Sequence, residues 1–189
     1  TGLGGAGITL TGASASATDL AAIDAGTTGV INASSVTTLT GTVSDLNKIF
    51  SSGVQAISGL GKQGISVVDT NLSVAVLNSL RSRTTGVINA SSVTTLTGSV
   101  SELKSIYTPG PLAITGLGSA GITLSGPSAA AAADLAAIDF GTRGVINASS
   151  VTTLTGTAAE VRAVYTAISA GQITGLGGAG ITLSGASAS

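Results

Sequence analysis

Five of the eight acidic side chains in these 189 residues recur at one phase of a repeat: Asp19, Asp45, Glu102, Asp134 and Glu160. A row of carboxylates is what a hard cation or an acid-base step would need. Their neighbours point to another use. Thr42-Val43-Ser44-Asp45, Ser99-Val100-Ser101-Glu102 and Thr157-Ala158-Ala159-Glu160 each place a hydroxyl three residues ahead of a carboxylate, and Ser16 and Asp19 repeat the spacing. That is the capping box, which satisfies the orphan amides of a first helical turn. A negative charge there also complements the positive end of the helix dipole. Lys48, Lys104 and Arg162 read as solvated partners of small consequence.

Other chemistry is thinly supplied. Cys, His, Met and Trp are absent, which removes disulfides, thiol nucleophiles, imidazole bases and the usual zinc ligands. Ser34 and Ser35 have no base or oxyanion partner in the sequence. Gly2-Leu3-Gly4-Gly5-Ala6-Gly7-Ile8-Thr9-Leu10 resembles a calcium-binding nonapeptide in its glycines, but none of its four copies carries the aspartate, so the glycines are read as tight bends. It fails equally as a dinucleotide loop, since no helix starts directly after it. No catalytic residue, metal ligand or cofactor is assigned, and an enzyme is not expected.

The outward hydroxyls are the remaining candidates. Thr9 and Thr11, Thr38 and Thr40, Thr95 and Thr97, Thr123 and Ser125, and Thr153 and Thr155 form Thr-x-Thr pairs or their equivalent. On one flat sheet they would make a regular grid able to order water or meet a glycan or mineral surface. Against this, Thr is a good strand former whose ladders stabilise stacking, and Ser66 and Val68 break the grid.

The elements that must position these groups come from repetition. Gly-Val-Ile-Asn-Ala-Ser-Ser-Val-Thr-Thr-Leu-Thr-Gly occurs three times without change, opening at Gly29, Gly86 and Gly144. A unit that cannot bury its own apolar face must stack on its neighbours. Aligning Ile8-Thr9-Leu10-Thr11-Gly12 with Val36-Thr37-Thr38-Leu39-Thr40-Gly41 divides each block into two coils of about 28 to 30 residues. The coils run 1–29, 30–57, 58–86, 87–114, 115–144, 145–173 and, in part, 174–189, a single solenoid segment over residues 1–189 taken from a longer array.

Within a coil, a short β segment (Val30-Ile31-Asn32, Ala56-Ile57-Ser58 or Ala113-Ile114-Thr115) precedes a Thr-Leu-Thr segment. Alternation should turn Leu10, Leu39, Val67, Leu96, Leu124, Leu154 and Leu183 inward. The period then changes to about three and a half, placing Leu20 and Ile23, Val43, Leu46, Ile49 and Phe50, Leu77 and Leu80, Val100, Leu103, Ile106 and Tyr107, Leu135 and Ile138, and Val161, Val164 and Tyr165 on the inner faces of helices. Glycines at 26, 53, 110, 141 and 171 stop them, and Pro109 and Pro111 forbid continuation. The expected fold is a β-α solenoid, two short parallel strands and one short helix per coil. Asn32, Asn89 and Asn147 recur every second coil, too far apart for a direct amide ladder, so each is expected to bond a local bend.

Composition sets the partners. Charged residues are 8% and aromatics 2%, with a net charge of −1, so no field attracts nucleic acid or an anionic membrane. No apolar run reaches the roughly 18 residues of a membrane span. The open-ended pattern implies self-association end to end or continuation of the same chain.

The thrice-repeated phrase, together with Ala-Asp-Leu-Ala-Ala-Ile-Asp at 133–139 and Ile-Thr-Gly-Leu-Gly at 114–118, resembles the repeats of very large secreted surface proteins of marine cyanobacteria and related bacteria. The likeness covers the whole chain. It implies export without an amino-terminal signal and a place on the cell surface or in an extracellular fibre. The calcium-binding repeats found elsewhere in such proteins are not carried over, and no catalytic residue transfers. The expectation is a structural segment of a filament, coat or adhesive stalk; the alternative is an ice-, glycan- or surface-binding module using the threonines.

Overall fold

The computed structural model describes residues 4–51, 57–107, 114–126 and 128–185. Gly53, Pro109, Gly110 and Pro111 lie outside them, as do Ala56 and Ala113. In chain order the elements are β1 (Ile8–Thr9), β2 (Ser14–Ser16), α1 (Ala17–Gly26), β3 (Ile31–Asn32), β4 (Thr38–Gly41), α2 (Val43–Ser51), β5 (Ile57–Ser58), β6 (Gly64–Val67), β7 (Asn71–Ser73) and α3 (Val74–Arg81). They continue as β8 (Ile88–Asn89), β9 (Thr95–Gly98), α4 (Val100–Tyr107), β10 (Ile114–Thr115), β11 (Gly121–Leu124), β12 (Ala129–Ala131), α5 (Ala132–Gly141), β13 (Ile146–Asn147), β14 (Thr153–Gly156), α6 (Ala158–Ser169), β15 (Ile173–Thr174) and β16 (Gly180–Leu183). Strands and a helix alternate coil by coil, which is the β-α solenoid pattern.

The chain gathers into two compact units, Thr1–Thr70 with Val76–Val93 and Leu112–Gly116, and Asn71–Ala75 with Thr94–Pro111 and Leu117–Ser189. The first unit holds sheet A, in the order β1-β3-β5, and sheet B, in the order β10-β8-β6-β4-β2. The second holds sheet C, in the order β15-β13-β11-β9-β7, and sheet D, in the order β12-β14-β16. Each described strand pair is parallel.

Two details differ from the sequence alignment. The first, third and fifth coils carry a third strand, β2, β7 or β12, immediately before the helix. Ser14-Ala15-Ser16, Asn71-Leu72-Ser73 and Ala129-Ala130-Ala131 have weak strand propensity, and they are extended because each lies against a Thr-Leu-Thr strand: Ala15 on Leu39, Leu72 on Leu96, Ala130 on Leu154. The second is register. Ile8 pairs with Ile31 and Ile31 with Ile57, offsets of 23 and 26 residues rather than the aligned 28 to 30. Leu39 therefore meets Ile65, and Val67 meets Gly41, two positions from where the alignment put it. A shift of two preserves the face, so Val67 and Leu124 are still buried.

The register builds apolar ladders. In sheet B, Ala15, Leu39, Ile65, Ile88 and Ile114 follow one another. In sheet C the ladder is Leu72, Leu96, Ile122, Ile146 and Ile173. Fully burying such a Leu or Ile is worth about 1.5–3 kcal/mol. These ladders replace the single large core of an ordinary domain.

The helices close the other side of each coil. Val43, Leu46 and Ile49 of α2, Val74, Leu77 and Leu80 of α3, Leu135 and Ile138 of α5, and Val161 and Val164 of α6 are buried at the expected three-residue spacing. Helix α1 packs on α2 in the first unit; α5 packs on α4 and α6 in the second. Tyr165, expected inside, is 44% exposed: Ala167 completes the buried stripe of α6 at i+3 from Val164 and turns Tyr165 outward. Leu183, also expected inside, is 62% exposed because β16 has β14 on one side and no described neighbour on the other.

Candidate functional site

The candidate threonines are divided among four sheets. Thr9 lies in sheet A, Thr38 and Thr40 in sheet B, Thr95, Thr97 and Thr123 in sheet C, and Thr153 and Thr155 in sheet D, while Thr11 falls outside the strands. Pairing by register also keeps the Thr-x-Thr pairs from stacking on one another. Thr38 and Thr40 sit between Ser14 and Ser16 on one side and Gly64 and Ser66 on the other. Thr95 and Thr97 likewise meet Asn71 and Ser73, then Gly121 and Thr123. Register instead aligns hydroxyls and amides in rows across the strands of a sheet.

Those rows are continuous. Ser16, Thr40, Ser66, Asn89 and Thr115 follow one another across sheet B, and Ser73, Thr97, Thr123, Asn147 and Thr174 across sheet C. Sheet A has Thr9, Asn32 and Ser58, and sheet D has Ala131, Thr155 and Thr182. Asparagine thus stands in the same line as the hydroxyls, a placement the sequence alignment hides because it assigns Asn and Thr to different segments. Thr9, Thr11 and Thr40 are exposed; Thr38, Thr95, Thr97, Thr123, Thr153 and Thr155 are half-buried.

Several of these groups are already engaged. The hydroxyls of Ser58, Thr115 and Thr174 donate to the carbonyls of Ile31, Ile88 and Ile146 in the preceding coil, at 3.3–3.4 Å. Thr155 donates to the Ala130 carbonyl at 3.4 Å. Asn32, Asn89 and Asn147 each accept, through Oδ1, the amide of the residue two ahead (Ser34, Ser91 and Ser149) at 3.0, 3.0 and 3.1 Å. This is the local bend expected of them, an Asx turn that leaves the next alanine, 33, 90 or 148, fully buried.

The invariant phrase is explained almost residue by residue in the same way. A Cβ on Gly29, Gly86 or Gly144 would stand 2.1–2.2 Å from the carbonyl oxygen of Ala6, Gln63 or Ala120 in the first bend of the same coil. Ser34, Ser91 and Ser149 in turn press against Gly59, Gly116 and Gly175 of the coil after, glycines held at φ +85° to +88°. Ser35 Oγ donates to the Leu10 carbonyl at 2.6 Å, and Ser150 Oγ to that of Leu124 at 3.0 Å.

Three structural residues escaped the sequence reading. Thr27, Thr84 and Thr142 stand two residues ahead of each copy. Each accepts the amide of Gly29, Gly86 or Gly144 and donates to a carbonyl in the first bend of its own coil, Thr84 to Gln63 at 2.6 Å and Thr142 to Ala120 at 3.0 Å. The signal was present: a Thr recurs at that offset in all three blocks. Asp69, which replaces a strand-ending glycine, accepts the amide of Val43 at 2.8 Å and so caps α2 from the next coil. Gln63, buried in the third coil, accepts from Gly61 and Lys62 and donates to Gly59, at the position held by Ala6, Ala120 and Ala179 in the other copies of the bend.

The acids occupy helix starts. The Glu102 carboxylate accepts the Ser99 amide at 2.8 Å and the Ser99 hydroxyl accepts the Glu102 amide at 3.3 Å; Glu160 and Thr157 repeat the pair. The backbone bond from Ser99 holds the Glu102 carboxyl below its ordinary range. Asp45 is lowered by its bond from Lys48 first, then by the hydroxyls of Thr42 and Thr18. Thr18 belongs to α1, so Asp45 also ties two helices. Asp134 instead pairs with Lys104 of α4, since Ala131 offers no side-chain cap. Burial pushes the Asp139 carboxyl up.

A hollow of about 420 Å³ in the first unit is lined by Phe50, Ile57, Ser58, Leu60, Ser82 and Arg83 among others, and its lining contains no acid. Among the described residues no group of three acids comes together, and no helix is long and apolar enough to cross a membrane.

Fold and geometry together define a parallel β-α repeat protein whose recurrent side chains join one coil to the next. Comparison with family models, curated proteins and solved structures found no match.

Proposed function

We propose that the chain is a structural segment of a cell-surface or extracellular filament, coat or adhesive stalk, with no catalytic step. The observation that carries this reading is the use of the invariant phrase: Gly29, Asn32, Ala33, Ser34 and Ser35 are each taken up by a bend or by an adjoining coil. Repetition under such contacts serves length and stiffness rather than a reaction. Low charge and the scarcity of aromatics fit a surface exposed to solvent through hydroxyls and backbone. Brief protease treatment of intact producing cells, with mass spectrometry of the released peptides, tests it. Recovery of this chain's peptides only after lysis would refute a surface location.

A second reading, binding to ice, a glycan or a mineral, draws on the row of Ser73, Thr97, Thr123, Asn147 and Thr174 across sheet C. Spacing of about 4.8 Å between strands gives it a fixed repeat. Thr97→Lys with Thr123→Lys would abolish thermal hysteresis or adsorption while leaving the far-UV circular dichroism intact. Unchanged adsorption rejects this reading.

A further inference from the structure

We infer that Asn89 and Asn147 are acceptor sites for an N-linked sugar, joined at Nδ2 by a glycosyltransferase whose donor is a glycosyl diphosphate. This rests on the reading of the chain as an exported surface segment and adds what that surface carries.

Asn89-Ala90-Ser91 and Asn147-Ala148-Ser149 are Asn-x-Ser acceptor triplets, as is Asn32-Ala33-Ser34 in the first copy of the phrase. Such a triplet is common by chance, so geometry must decide. Asn89 and Asn147 are exposed, as are Ser91 and Ser149, while Asn32 is half-buried. Each of the two exposed asparagines ends its strand, β8 or β13. A turn follows at once, closed by the Val93 amide on the Ala90 carbonyl or by Val151 on Ala148. The acceptor therefore stands at the mouth of a surface turn, where a second protein can reach it.

The carboxamide is held by one end only. Oδ1 of Asn89 and of Asn147 accepts the Ser91 and Ser149 amides at 3.0 and 3.1 Å, which fixes the side chain. Nδ2, which carries two N–H groups, has no hydrogen-bond partner among the described residues. Across the strands Asn89 lies between Ser66 and Thr115, and Asn147 between Thr123 and Thr174. Small hydroxyl residues on both sides leave room for a sugar ring and can hydrogen-bond to it.

Transfer balances without a redox partner. Nδ2 attacks the anomeric carbon, one N–H proton passes to a base of the transferase, and the anomeric C–O bond breaks with its electron pair leaving on the diphosphate. The product keeps its carbonyl, so the bond from Ser91 or Ser149 survives and the coil need not rearrange.

One more triplet, Asn71-Leu72-Ser73, serves as an internal control. It is strand β7 itself, paired with Thr95, Leu96 and Thr97. Extended backbone carries Ser73 along the strand, away from the Asn71 carboxamide, so this triplet has the wording without the turn.

The test takes the chain from the cells that produce it, cuts it at Lys and Arg, and reads the peptides by electron-transfer fragmentation, which leaves sugars on their residues. Asn71, Asn89 and Asn147 fall on separate peptides, 63–81, 84–104 and 144–162. Sugar is expected on Asn89 and Asn147 and not on Asn71. An increment of one sugar identifies a nucleoside diphosphate donor, and a whole oligosaccharide a lipid-linked one. Ser91→Ala removes the triplet but keeps the turn, which uses the backbone amide, so sugar should be lost from Asn89 and retained on Asn147. Bare Asn89 and Asn147, equal modification of Asn71, or sugar on Asn89 that survives Ser91→Ala would each overturn the inference. The protease experiment decides location separately: a surface chain with bare asparagines refutes the sugar alone, and a sugar-bearing chain released only by lysis refutes the location alone.

Discussion

Replacing Gly144 by alanine tests the central packing argument. The added methyl would stand 2.1 Å from the Ala120 carbonyl oxygen, 2.4 Å from its carbon and 2.6 Å from the Gly121 nitrogen, all of them backbone. An ordinary contact needs more than 3 Å, so β13 must withdraw from β11 by about 1 Å. Two hydrogen bonds span that gap, Thr142 Oγ1 to the Ala120 carbonyl at 3.0 Å and the Ile122 amide to the Val145 carbonyl at 2.9 Å. Stretching both, one of them at a buried threonine, costs about 3–5 kcal/mol. Alanine returns about 0.4–1 kcal/mol by restricting the unfolded chain. The net loss is about 2–4 kcal/mol, a fall of roughly 1–2 M in the urea midpoint read by far-UV circular dichroism. Gly26→Ala is the matched control: it ends α1 with nothing within 4 Å, and its midpoint should hold or rise slightly. If Gly144→Ala and Gly26→Ala unfold at the same urea concentration, close approach is not why the glycine is there.

Thr142→Val keeps the shape of the side chain but strips both bonds of its hydroxyl, and a loss of about 1–3 kcal/mol in the same urea assay is expected. Asp69→Ala uncovers the amide of Val43 and should cost about 1 kcal/mol, with amide exchange accelerating in the first turn of α2 rather than in α3. Leu96→Ala, in the middle of the sheet C ladder, should cost about 2–5 kcal/mol, whereas half-exposed Val145→Ala should stay within about 0.5 kcal/mol. Acid titration separates two kinds of carboxylate. Asp45 and Glu102 have folded pKa values below their unfolded ones, so the stability they give is present above the unfolded pKa and is lost as pH falls through the folded value; Glu102→Gln should flatten that acid limb. Asp139 is shifted the other way, so its penalty grows as pH rises through its folded pKa, and Asp139→Asn should raise the thermal midpoint at pH 7 but not at pH 3.

Much of the coil was legible because its signals are local. The hydroxyl-to-carboxylate spacing at Ser99 and Glu102 announced a cap that the structure contains, and the alternation about Leu39 and Leu96 announced the buried face. What stayed hidden depends on the coil next door. Asp69 stands where other coils end this strand with glycine, yet it serves the helix of the preceding coil. Ala129-Ala130-Ala131 looks like helix and is extended because Thr153-Leu154-Thr155 lies beside it. The partners of the threonines were hidden for the same reason: Thr-x-Thr pairs are similar in wording, but strands pair by register, and register sets Gly64 opposite Thr38 and Gly121 opposite Thr95.

The third strand of alternate coils gives the array something like a reading frame. Strands β2, β7 and β12 each begin a sheet, and sheets B and C both have five strands, with a new sheet begun every second coil. Inserting a pair of coils within the array adds a sheet without widening B or C. It also makes the pair of coils the smallest increment that can be inserted or removed: excising residues 29–85 joins Thr28 to Gly86 and leaves every strand facing its proper kind of neighbour, while excising one coil sets a Val-Ile-Asn strand where a Gly-Ile-Thr-Leu strand is required. An array built this way changes length in blocks of 57 or 58 residues, the spacing of Gly29, Gly86 and Gly144.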